Sequence, residues 1–105
     1  MFKAVILLAR REGMSRAEFR EWWLDHHAGL ASTLPGLREL RFNLVASDDA
    51  TYDGVSELWF DSQEAFERAY ASEVGRRVAE DSLANVSRRD RLFVDEHLVY
   101  DGEVG

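Results

Sequence analysis

Leu34-Pro35-Gly36-Leu37-Arg38-Glu39-Leu40-Arg41-Phe42-Asn43-Leu44-Val45-Ala46 is where the period of the chain changes. Before it, Phe19, Trp22, Trp23, His26, Leu30 and Leu34 recur at helical spacing. After it, Leu40, Phe42, Leu44 and Ala46 alternate with Glu39, Arg41, Asn43 and Val45, as on a strand. Pro35 is the only proline, and Pro35-Gly36 separates the two regimes.

Upstream, Phe2 to Ala9 is a continuous apolar run and reads as a strand buried on both faces. Ser15 with Glu18 forms a capping box, which opens a helix from Arg16 to about Leu30. Downstream, Ser47 to Gly54 is a polar turn, and Val55 to Phe60 is a third strand. Asp61 with Glu64 reads as a second capping box for a helix through Phe66, Ala69 and Tyr70. Ser72 caps a further helix containing Val74, Val78 and Leu83; Arg91 to Tyr100 is the last strand, and Asp101 to Gly105 a frayed tail. The order β-α-β-β-α-β predicts one α+β domain over residues 1–105, a ferredoxin-like four-stranded antiparallel sheet.

Such a sheet carries helices on one face, so the other should be polar unless something covers it. Here Trp59 shares a face with Glu57, and Val45 with Arg41 and Asn43. That mixture predicts a partner sheet and an enclosed cavity, hence a homodimer. The plainer alternative is an ordinary sheet with a few exposed apolar residues.

Composition narrows the partners. The chain has 105 residues, 46% of them hydrophobic, enough for one core. Its net charge of −7 argues against nucleic acid and anionic membranes, which select basic surfaces. The absence of cysteine excludes disulfides and thiolate chemistry. No stretch reads as a signal peptide or a membrane span, so a cytoplasmic location is expected.

Chemistry concentrates in Trp22-Trp23-Leu24-Asp25-His26-His27-Ala28-Gly29-Leu30. At a helix C-terminus the macrodipole favours imidazolium, which suits a proton donor or acceptor with a pKa near neutrality. A regular helical wheel places His26 within the apolar stripe and His27 at its edge. The first then reads as a packed histidine and the second as a solvated end residue or a side chain reaching a cavity. No metal-binding spacing links these histidines to Asp95, Glu96 or His97. On the strands, Arg41, Asn43, Glu57 and Trp59, with either Asp95 and His97 or Glu96, are candidates to face inward together. An Arg and an Asn beside a Trp suit an anionic or carbonyl-bearing ring compound. Equally, Arg41 and Glu57 form a cross-strand ion pair and nothing more.

The stretch Trp22 to Leu30, followed by Leu34-Pro35-Gly36-Leu37, resembles the EthD family, which shows an aromatic, then His-Ala-Pro-Leu, then Pro-Gly-Leu at the end of its first helix. The spacing to Pro35 puts His27, not His26, on the family histidine. Glu57-Leu58-Trp59-Phe60, Ser72-Glu73-Val74-Gly75-Arg76 and a closing strand with Glu96 are also similar, so the resemblance covers nearly the whole chain. It implies a dimeric α/β barrel with a pocket between the sheet and the first helix. Relatives include muconolactone-type isomerases, fungal polyketide dehydratases and proteins tied to ether degradation. In the first two, a histidine at the position of His27 acts as acid or base without metal or organic cofactor. Gly29 stands where the family has proline. Leu40 stands where the isomerases have tyrosine, which argues against isomerisation by a His–Tyr pair.

The expectation is a cofactor-independent lyase or isomerase acting on a small cyclic or aromatic-derived compound. His27, or His26, would move the proton, and Arg41 or Asn43 would steady oxyanion charge. Trp22, Trp23 and Trp59, with Glu57, would line the pocket, set beneath the partner copy on the helix-free side of the sheet. The alternatives are a non-catalytic binding protein of the same family, and a monooxygenase of the same fold. The latter is cofactor-free or haem-dependent, with His26, His27 or His97 as haem ligand.

Overall fold

Strand β1 (Phe2–Arg10) forms the spine of the sheet, with apolar side chains available to both faces. The computed structural model describes residues 1–102. Ser15 caps α1 (Arg16–Glu21) through the expected capping box with Glu18. The helix continues through a π-helical segment, Trp22–His27, into α2 (Ala28–Ala31). After the Pro35-Gly36 break, with Gly36 at a φ of 78°, come β2 (Glu39–Leu44) and β3 (Gly54–Phe60). Then follow α3 (Gln63–Ala71), α4 (Glu73–Asn85) and β4 (Val86–Val94). The sheet order is β2-β3-β1-β4 and every pair is antiparallel, the ferredoxin-like arrangement predicted from the element order.

Pleating sorts the side chains. Ala4, Ile6 and Leu8 of β1, with Ser56, Leu58 and Phe60 of β3, are buried under the helices. They meet Phe19, Trp22 and Trp23 from the first helix and Phe66, Ala69 and Val78 from α3 and α4. Gly54 lies directly under Trp23: a Cβ there would come within 2.6 Å of the indole. The missing side chain lets the ring lie on the strand.

Three expectations need correction. The last strand begins at Val86 and ends at Val94, not Arg91 to Tyr100. Its register opposite Leu8 and Ile6 turns Arg89 and Arg91 toward the helices, and basic residues at inward positions hide the alternation. Arg91 lies over the Phe66 and Phe93 rings and, among the described residues, pairs with no carboxylate. Second, α3 is capped by Ser62, whose hydroxyl accepts from the Ala65 N–H; Asp61 pairs with Arg38 at 2.8 Å. Third, Leu83 is 64% exposed, and the buried stripe of α4 runs through Val78 to Ser82. Of the expected tail, Asp101 and Gly102 have no regular structure, and Glu103, Val104 and Gly105 lie outside the described residues. Among the described residues, no helix is long and apolar enough to cross a membrane.

Candidate functional site: a buried histidine between helix and sheet

The π-helical segment decides which histidine faces inward. In an α-helix the residue stacked on Trp22 would be His26, four positions on. Here the Ala28 N–H bonds to the Trp23 carbonyl, five residues back, and the wider turn admits one extra residue. His27 swings under the helix and is 4% exposed, while His26 faces out. The wheel placement of the two is therefore reversed, because it assumed α-helical pitch through a π turn. Trp22 and Trp23 are buried beside His27, with the Trp22 and His27 ring centroids 4.9 Å apart. Trp23 stacks on Phe42 at 4.2 Å.

His27 Nδ1 lies 2.7 Å from Asp81 Oδ2 on α4, and that oxygen also accepts from Trp22 Nε1 at 3.1 Å. An ionised carboxylate only accepts, so the network places the neutral imidazole's proton on Nδ1. Nε2 is left as the base, 3.3 Å from the Ser82 hydroxyl. Burial is the largest influence on the ring and pushes its pKa below the ordinary histidine value, against the opposing pull of Asp81. The macrodipole expectation gives way accordingly: α2 continues past His27 to Ala31, and desolvation dominates.

A cavity of about 20 Å³ opens beside the imidazole. Ser56, Tyr70, Ser82 and Arg89 line it together with apolar residues that include Trp23 and Val78. Desolvation also raises the Tyr70 phenol's pKa, partly offset by the nearby Arg89 and Arg91 charges. A cavity this size holds one water, whereas small-molecule sites usually begin at about 300 Å³. A ligand therefore needs the walls to part, and Phe42, on the edge strand β2, is half-buried. A larger groove, about 390 Å³, runs between α1 and the end of β2. It is open, holds no histidine, and its Arg16 is engaged by Asp48 and the Val45 carbonyl.

The expected strand residues do gather, but on the other side of the sheet. Lys3, 8% exposed, bonds Glu57 at 2.8 Å and Glu96 at 2.7 Å, with its ammonium 4.5 Å from the Trp59 ring centroid. Lys3 holds both carboxyls below their ordinary pKa, and they raise its own. Asn43 donates to Glu57 at 3.0 Å. Arg41 pairs with Glu39 at 2.6 Å, so the expected Arg41–Glu57 ion pair is not formed even though the two stand opposite in register. His97 and Asp95 are exposed and pair with each other, 3.1 Å apart. Arg41, Asn43, Glu57 and Trp59 therefore share no pocket with His27 within the chain. The expectation that His27 works beneath the helix-free face is corrected: the sheet stands between them.

The residues that do surround His27, namely Asp81, Ser82, Tyr70 and Arg89, were not singled out from the sequence. One signal was present: Ser82 follows Val78 by four and interrupts an apolar stripe. Asp81 carried none, since its role depends on α4 packing across the first helix. Among the described residues no three or more His, Asp or Glu side chains gather as a metal site.

A protein of the ethyl tert-butyl ether D (EthD) family from Bacillus halodurans is similar in structure, with a TM-score of 0.80 and 19% identity over 92% of this chain and 100% of that one. A dimeric ferredoxin-like protein of unknown function from Thermobifida fusca is similar at a TM-score of 0.73 and 13% identity, covering 89% and 88% of the two chains. SnoaB, a cofactor-independent oxygenase from Streptomyces nogalater, is similar at 0.68 and 17% identity, covering 93% and 94%. At such identities the likeness is one of fold. No curated protein matches the sequence. The EthD domain model, however, matches residues 11–88, most of the chain and all of the helices around His27, and the protein belongs to the EthD domain family.

Proposed function

We propose that the protein is a homodimeric, cofactor-independent lyase or isomerase in which His27 moves a proton on a small cyclic or aromatic-derived molecule. The observation that carries this reading is the Asp81–His27 contact at 2.7 Å, with Nε2 beside Ser82, which lines the same cavity as the imidazole. The Nε2 lone pair takes a proton from a carbon next to a carbonyl, and the bonding pair passes into an enolate. Asp81 faces the resulting imidazolium and stabilises it, as a carboxylate does for a catalytic histidine in general. Return of the proton to another carbon completes an isomerisation; its delivery to a departing hydroxyl completes a dehydration. Trp22 and Trp23 keep the site dry, which strengthens each charge interaction in it.

The homodimer is supported by the dimeric neighbour and by the mixed helix-free face, where Val5, Leu7, Val55 and Trp59 are half-buried and Leu92 is 53% exposed in the single chain. A partner sheet would cover these residues and the Lys3 cluster.

Exchange of α-protons for deuterium in a panel of cyclic ketones and keto acids, followed by NMR, tests the proton-transfer reading. Exchange faster than in buffer is expected, and His27→Ala should abolish it while the dimer persists. Exchange that survives in His27→Ala removes the histidine from the mechanism. A panel that binds without exchanging favours the non-catalytic binding protein.

A further inference from the structure

Two residues that line the cavity each carry a buried donor with no acceptor among the described residues. Trp23 Nε1 and Arg89 Nε are closed to solvent and bond to no protein atom among the described residues. Both residues line the same cavity as His27. The neighbouring indole shows the contrast, since Trp22 Nε1 is satisfied by Asp81. An unpaired buried N–H costs about 1–3 kcal/mol, so two around one cavity point to an acceptor that arrives from outside.

Charge makes the same case. The chain carries a net charge of −7, and Arg10, Arg38, Arg41 and Arg88 each hold a carboxylate. Arg89 is half-buried and, among the described residues, has no carboxylate partner. Its register opposite Leu8 turns it under the helices, where its charge is felt by both His27 and Tyr70. A guanidinium so placed selects an anion, and its planar donors suit a planar one. A single cation among Ile6, Leu8, Leu58 and Val78 fits one negative charge on an apolar body better than a phosphate dianion.

We propose that the substrate is a small, flat organic acid whose carboxylate is held by Arg89 Nε and Trp23 Nε1. This deepens the reading of the His27 site and rests on it only for the orientation of the reacting carbon toward Nε2. The charges balance through the step. Arg89 offsets the carboxylate throughout; the proton leaving carbon ends on His27, the C–H pair stays on the substrate as the enolate, and the new imidazolium charge beside Asp81 matches the new enolate charge.

The test compares benzoate with benzyl alcohol at pH 8, followed by the indole N–H signals of the intact protein. Benzoate should bind at least about tenfold more tightly, the scale of one charge-assisted hydrogen bond. It should move the Trp23 signal, leaving Trp22, bonded to Asp81, and Trp59, across the sheet, nearly unmoved. Arg89→Met should erase the preference by weakening benzoate alone, and Arg89→Lys should keep part of it. In His27→Ala the preference should persist, which separates anion recognition from proton transfer. Equal affinity for the two probes, a still Trp23 signal, or an undiminished preference in Arg89→Met overturns the proposal. Failure of both probes to bind also overturns it, since the donors then hold no more than a trapped water. Should Arg89→Met not fold, the wild-type contrast, the Trp23 shift and Arg89→Lys decide.

Discussion

His27 owes its chemistry to neighbours distant in sequence. Asp81 fixes its tautomer, Trp22 shares that carboxylate, and burial keeps the ring neutral. Because its folded pKa lies below the unfolded value, near 6.5, the unfolded chain binds the proton more readily. The folded state should therefore lose stability as pH falls from about 6.5 toward the lowered value, and His27→Gln should flatten that slope in urea titrations across the window. The base form is complete above the lowered pKa, so α-proton exchange should fall only once the pH drops below the usual histidine range. Gly54 belongs to the same scale. Ala at this position sets a methyl 2.6 Å from the Trp23 ring and 3.1 Å from Phe19, and Gly54→Ala should cost about 1–3 kcal/mol by urea denaturation.

Among the elements, the π-helical segment contributes most to the site. One extra residue in the turn exchanges His26 for His27 on the inner face. Deleting exposed Asp25 would put His27 four positions after Trp22, so an α-helical turn would then present it inward. That deletion should leave a cooperative fold by circular dichroism, with loss of about 2 kcal/mol or less, within the ordinary range for single changes. Deleting Glu80 from α4, which has no extra residue to absorb the loss, should rotate Asp81 and Ser82 away from His27 and abolish α-proton exchange. The misread β4 belongs here too. Its inward Arg89 and Arg91 break the hydrophobic alternation because one lines the cavity beside His27 and the other lies over aromatic rings.

The whole molecule divides its chemistry between two sides of one sheet. The helix side holds the histidine site, and the open side holds the Lys3–Glu57–Glu96 cluster beneath Trp59. If a second copy covers the open side, a charge set among its apolar residues should oppose assembly. Leu92→Asp should therefore sediment as a monomer where the wild type sediments as a dimer, with the helix-side site unaltered in its Trp22 and Trp23 indole signals. A wild type that sediments as a monomer withdraws the homodimer.

Local patterning alone determined the strand and helix order, the capping boxed start of α1, the break at Pro35-Gly36 and the antiparallel four-stranded sheet. Each is written in periodicity, capping and turn chemistry within a few residues. The motif around His27 also singled out, by its distance from Pro35, the histidine that the fold buries. Which face of the sheet carries the site was decided only in three dimensions. A π turn alters helical phase without a compositional mark, and Asp81 reaches the imidazole, and Arg89 the cavity beside it, through contacts of one element with another. Those contacts come from packing of segments more than fifty residues apart, which no local period records.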